Sequence, residues 1–240
     1  MQALRIFRHV QDTLARYGAS AALHDIGCHA VNVIAEFQIL RGMTARLRDI
    51  NDPSLFDAPG FHGRFVSSGE LAERYEGAHE LSSAFLLEAS LRGDRCYALF
   101  EGEALASYGW YSNLPSPIDE HFVLHFARVY TYMYKGYTLP AYRGMRLHAV
   151  GMCRALREFT AEGKAGLISY VQSNNFASLR SVARMGYRIF GEVYLLRVGG
   201  RRLTYATKSC RDYDFRVEPT ARPRRGDRSL PRVSGSRESP

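Results

Sequence analysis

Apolar positions along the chain follow two periods. Leu4, Phe7, Val10, Leu14 and Tyr17 recur at spacings of three and four, with Arg5, Arg8 and Arg16 off the stripe. That pattern predicts an amphipathic helix ended by Gly18. A second helical stretch is expected over 21–35 and a strand over 36–44. Strand 63–67 then leads through Ser68, a fitting N-cap, into helix 69–75, and helix 82–91 stops at Gly93. Strands 95–100 and 104–111 read as a hairpin about Glu101-Gly102-Glu103. After a loop holding Pro115 and Pro117, a long strand is expected over 127–139. It sets Tyr130, Tyr132 and Tyr134 on one face and Val129, Thr131, Met133 and Lys135 on the other, and Pro140 ends it. Helix 145–162, strand 166–172, helix 176–185 and strands 187–198 and 201–208, turning at Gly199-Gly200, complete the series. Hairpins at both ends with strand–helix–strand between them predict a mixed-sheet α/β or α+β domain.

Three regions follow: an N-terminal extension over 1–55, a main domain over 56–217 and a tail over 218–240. The tail carries +3 of the net charge of +8, with four prolines and few large aliphatics, and is expected to be disordered. No aromatics interleave its arginines, so nucleic acid is not the expected partner. Cys28, Cys96, Cys153 and Cys210 form no CxxC pair, which argues against a zinc site or disulfide framework and fits a reducing, cytoplasmic setting. No run reaches the ~18 apolar residues of a membrane-spanning helix. The basic first helix offers a peripheral membrane contact, but packing on the main domain is its more ordinary fate.

Chemistry concentrates at two junctions. At Thr138-Leu139-Pro140-Ala141-Tyr142-Arg143-Gly144-Met145-Arg146-Leu147-His148 a strand breaks at a proline and a basic loop opens a helix. Unpaired amides at a helix N-terminus, with arginines beside them, suit a pyrophosphate. Downstream, strand 166–172 leads to Ser173-Asn174-Asn175-Phe176-Ala177-Ser178 and a helix closing on Gly186-Tyr187.

Together these segments resemble the GNAT superfamily of acyl-CoA-dependent N-acyltransferases, over about residues 60–210. The first is similar to the family's pyrophosphate loop, the second to its N-x-x-S/A…G-F/Y element. The resemblance implies a twisted, mostly antiparallel sheet flanked by helices, acetyl-CoA or another acyl-CoA as co-substrate, and no metal. It implies that Tyr137, Thr138 and Leu139 pair with the pantetheine. It further implies that Arg143, Gly144, Met145, Arg146, Leu147 and His148 hold the pyrophosphate, and that Asn175 and Ser178 line the cofactor arm. The acceptor it implies is an amine of a small molecule or sugar.

The sequence departs from the family in four places. Arg146 stands where the loop has glycine, and His148 where it has a small residue whose replacement can point along the helix. The tyrosine expected seven residues beyond Asn175 is Val182. The central strand carries no glutamate, so a base is sought in Glu120 or His121, with Asp119 and His125 beside them, and an acid in Tyr137 or Tyr187. Two other readings stay open: a non-catalytic acyl-CoA-binding protein, and an acyltransferase linked to the membrane or to an envelope polysaccharide.

Overall fold

The computed structural model describes residues 2–75, 77 and 80–220, with the backbone alone over 2–9. The tail expected over 218–240 starts later than expected, because Glu218 and Pro219 belong to a strand and the Thr220 hydroxyl donates to the Glu120 carbonyl; the rest of it lies outside the described residues.

Two helices, α1 (Gln2–Tyr17) and α2 (Ala19–Val31), precede strand β1 (Glu36–Ala45). Next come β2 (Phe61–Val66), α3 (Ser68–Tyr75), α4 (Ser83–Arg92), β3 (Arg95–Glu101) and β4 (Ala104–Ser112). Short strands β5 (Ser116–Pro117) and β6 (Phe122–His125) lead to β7 (Tyr130–Thr138), α5 (Leu147–Ala161), β8 (Gly166–Gln172) and α6 (Phe176–Arg184). The chain closes through β9 (Arg188–Val198), β10 (Arg201–Ala206) and β11 (Arg216–Pro219). Ser82 Oγ accepts the Phe85 amide and Gly93 closes α4 with a φ of 67°, so polar cap and glycine stop delimit the helix as expected. For α3 the capping hydroxyl is Ser67, which accepts the Glu70 amide, one residue ahead of the expected Ser68.

The fold is mixed α+β. An eight-stranded sheet runs β10-β9-β1-β8-β7-β4-β3-β2, and β11-β6-β5 form a small second sheet. Every neighbouring pair is antiparallel except β7 and β8. α5 covers one face over a core of Met43, Leu99, Tyr111, Leu156, Phe159 and Leu167. α3 and α4 cover the other face above Leu71, Leu86, Cys96, Phe100 and Trp110.

Two further boundaries differ from expectation. Residues 36–45, placed by sequence in the N-terminal extension, form β1 between β8 and β9, so the extension and main domain meet inside one sheet rather than near residue 55. Its last four residues are all buried, which a strand outside the domain would not be. The strand expected over 127–139 begins only at Tyr130, because a turn closed by the Tyr130 amide on the Ala127 carbonyl precedes it. Helices α1 and α2 pack on α6: the Tyr17 ring lies 5.3 Å from Phe176, and the Arg180 guanidinium caps Tyr17 and donates to the Arg16 carbonyl.

Candidate functional site

The sheet opens at its centre. β7 and β8 pair only through Tyr130, Thr131 and Tyr132 opposite Gly166, Leu167 and Ile168. Beyond these, β7 stays with β4 as far as Thr138 opposite Ser107, whereas β8 stays with β1 as far as Gln172 opposite Leu40. The cause is local. Trp110 faces Lys135 and Tyr111 faces Met133, leaving Tyr134 as an extra residue in β7. Such a bulge bends and twists its strand. At the fork, Ser169 Oγ donates to the Met133 carbonyl over 2.8 Å. The diverging inner edges of β7 and β8 leave strand-like main chain able to receive an extended group. The bulge also explains a correction: Met133 packs toward α5, but Lys135, expected on that same face, places its Nζ 4.3 Å over Phe85 of α4.

Outward along β7 lies a mouth suited to anions. The chain leaves Thr138 through a one-turn segment, Pro140–Tyr142, then Gly144 at φ 87° and Arg146 at φ 61°, and enters α5. No side chain among the described residues caps α5, so its first-turn amides keep their capacity to bind a ligand. Between α5 and α6 a cavity of about 430 Å³ is lined by Asp52, Leu55, Arg146, His148, Ser181 and Arg184, among others. Arg146 does not project freely there. It is bonded to Asp52 at 3.2 Å and Ser54 at 3.4 Å, and the Ser54 and Arg146 hydrogen bonds hold the Asp52 carboxyl below its usual range. Arg143 donates to the Thr138 carbonyl and lies over the Tyr137 ring.

His148 turns inward. A Cβ built on Gly136 would sit 2.1 Å from its Cε1, so the imidazole occupies the space a side chain on β7 would take. The expectation that it points along the helix is corrected: the glycine on β7 makes room for the ring. Burial lowers the His148 pKa, and the ring is neutral near pH 7.

The other sequence candidates scatter. Tyr137 stacks on Tyr108 at 5.7 Å, on the face opposite α5. Glu120 and His121 form their own contact at 3.3 Å, and His121 shares a surface hollow with Glu36, Arg197 and Arg202 near the β9–β10 turn. That hollow has no lining residue in common with the α5–α6 cavity. Asn175 Oδ1 accepts the Ser178 amide, so both residues serve as the start of α6. Val182 joins the core, and Tyr187 is buried with its hydroxyl toward Met133 Sδ at 3.5 Å. Met145 is exposed and Leu147 buried.

A second group was not singled out from sequence. On the face of β7 toward α4, the Tyr134 hydroxyl and Arg92 Nε each donate to Asp94 Oδ2 over 3.1 Å. Arg92 Nη2 also donates to Ser112 Oγ, Ser116 Oγ and the Pro115 carbonyl. Burial and Asp94 push the Tyr134 pKa up, which keeps its proton as donor. A pocket of about 180 Å³ opens onto these groups. The only advance sign was Arg92-Gly93-Asp94, a charged pair around a helix stop, which taken alone is an ordinary turn.

Among the described residues, no cluster of three or more His, Cys, Asp or Glu side chains could hold a metal. All four cysteines are free and buried, and burial raises the Cys153 pKa to about 12, which removes it as a nucleophile.

No protein-family model and no curated protein matches the sequence. Among solved structures, the chain is similar to a Drosophila protein at 15% identity and a TM-score of 0.45, over 74% of this chain and 57% of that one. It is similar to a GCN5-related N-acetyltransferase-like protein of Streptococcus suis at 12% identity and a TM-score of 0.44, over 73% of this chain and 67% of that one. A Colwellia psychrerythraea acetyltransferase from the GNAT family matches at 14% identity and a TM-score of 0.44, over 69% of this chain and 58% of that one. The chain thus spans roughly three-fifths of the length of these structures.

Proposed function

We propose that the protein is an acyl-CoA-dependent N-acyltransferase of the GNAT type, most simply one that uses acetyl-CoA. The observation that carries this reading is the fork between β7 and β8, opened by the Tyr134 bulge and leading outward to an uncapped helix N-terminus. An extended pantetheine pairs with the free edge of β7, and the α5 amides with Arg143 take the pyrophosphate. The thioester then lies near the fork. A neutral amine nitrogen attacks the thioester carbonyl carbon, a C–N bond forms, the C–S bond breaks, and coenzyme A leaves as its thiol. Each turnover of an ammonium acceptor releases one proton. The carbonyl oxygen takes negative charge as the nitrogen attacks, and main-chain N–H groups of β7 are the donors placed to stabilise it.

Expected activity is release of coenzyme A thiol from acetyl-CoA on adding a mixture of primary amines, followed with a thiol reagent. Absence of release with every amine, despite saturable acetyl-CoA binding, would leave the non-catalytic acyl-CoA-binding alternative. A membrane-linked variant of the same reaction draws support from Leu23, Val33 and Ile34, which are 72%, 82% and 81% exposed on and just after α2. Sedimentation of the full chain with anionic vesicles supports that variant, and a chain left in the supernatant removes it.

A further inference from the structure

Buried carboxylates rarely keep an oxygen without a donor. Asp94 does: its side chain is 2% exposed, Oδ2 takes both the Tyr134 and Arg92 hydrogen bonds, and Oδ1 is buried with no partner among the described residues. The residue lines the 180 Å³ pocket together with Phe85, Glu88, Arg92 and Tyr134. An ionised carboxylate oxygen can only accept, so the group missing at Oδ1 is an N–H or O–H donor.

Charge narrows the class. Arg92 offsets one negative charge, and it is held in place by Ser112, Ser116 and the Pro115 carbonyl. Glu88, exposed on the same wall, adds a second negative charge. The cation Lys135 lies over the Phe85 ring of the pocket wall, and its charge is offset by Glu80, whose carbonyl is 2.8 Å and carboxylate 3.7 Å from its Nζ. The Phe85 and Tyr134 rings give the pocket apolar walls, and aromatic faces favour a cation or a compact apolar body.

Tyr134 ties this pocket to the fork, since it is both the bulged residue of β7 and a pocket wall. We infer that the pocket binds the acyl acceptor, a compact amine with a small apolar or aromatic body, whose ammonium lies beside Glu88 and, as the side chains around Asp94 part, donates to its buried Oδ1. Asp94 is thus the acceptor's anchor, and Arg92 and Tyr134 are positioning residues that fix it by occupying Oδ2. The inference rests on the acyl-transfer reading for the ligand's role but not for its binding.

The test titrates benzylamine and its neutral counterpart benzyl alcohol into the full chain without coenzyme A, read by backbone amide shifts. Benzylamine should bind at least tenfold more tightly than the alcohol, with shifts centred on Phe85, Arg92, Asp94 and Tyr134. Asp94→Asn should weaken benzylamine at least tenfold. Because that variant also disturbs the Arg92 pair, Glu88→Arg at an exposed position serves as the second variant and should weaken it similarly. Equal binding of amine and alcohol, no binding of either, or benzylamine binding unmoved by both variants overturns the inference. Amine binding without acetyl-CoA binding would sink the acyl-transfer reading alone, whereas acetyl-CoA binding without amine selectivity would sink the pocket alone.

Discussion

Replacing Gly136 by alanine places a methyl group 2.1 Å from His148 Cε1 and 2.7 Å from Nδ1. Carbon atoms in contact prefer about 3.5–4.0 Å, so the ring must retreat by roughly 1.5 Å. Neither neighbour yields easily, because His148 is in the first turn of α5 and Leu147 and Ala149 on either side of it are buried. Overpacking of this kind costs about 1–3 kcal/mol, set against a gain of about 0.5–1 kcal/mol from removing a strand glycine. A net loss of about 1–2 kcal/mol corresponds to a Tm drop of roughly 2–8 °C for a domain of this size. The displaced imidazole moves into the cavity it shares with Arg146 and Arg184, so acetyl-CoA affinity should fall as well. In a His148→Ala background the same glycine change should be neutral or slightly stabilising. Urea denaturation and coenzyme titration of the two singles and the double complete the cycle. An equal penalty for Gly136→Ala with and without the imidazole would refute the packing of His148 against β7.

Three further outcomes are expected. Arg143→Glu should weaken acetyl-CoA binding by an order of magnitude or more at low salt, and Gly144→Pro should abolish it, since proline cannot adopt φ 87° and removes an amide; calorimetry on the folded variants checks both. Asp52→Asn should release Arg146 from its ion pair and tighten acetyl-CoA about two- to fivefold in low salt, an advantage that high salt erases in a salt series. His148 has its folded pKa depressed by burial, so below about pH 6.5 the unfolded chain binds the proton more readily. The stability this neutral ring supports is present above that pH and lost as pH falls toward the folded value. The wild type should therefore lose more stability than His148→Gln between about pH 7 and pH 5, as read by urea midpoints.

Much of the architecture was legible because it rests on local chemistry. Strand β8 spans the expected residues 166–172, and Gly199-Gly200 turns β9 into β10. The mixing of strands and helices follows from the element order, whereas the mostly antiparallel sheet was implied only by the resemblance. Partners across the sheet were not legible. The run 36–45 reads as a strand, but nothing local says that it lies between β8 and β9. The bulge was hidden for a physical reason: Tyr130, Tyr132 and Tyr134 keep perfect alternation, and only the pairing with Trp110 and Tyr111 reveals the extra residue. Asp94 was hidden with it, because its partner Tyr134 is 40 residues distant. The loop 143–148 did form a helix entrance as the pattern implied, yet the directions of Arg146 and His148 depend on Asp52 and Gly136, which no spacing rule connects to them.

In the proposed reaction the β7–β8 fork receives an acyl-CoA. Calorimetric titration of acetyl-CoA into the full chain at moderate salt tests it most directly. One saturable site of micromolar affinity, lost in Arg143→Glu, is the predicted result. No heat with acetyl-CoA or with longer acyl-CoAs, from a chain shown to be folded, would contradict it.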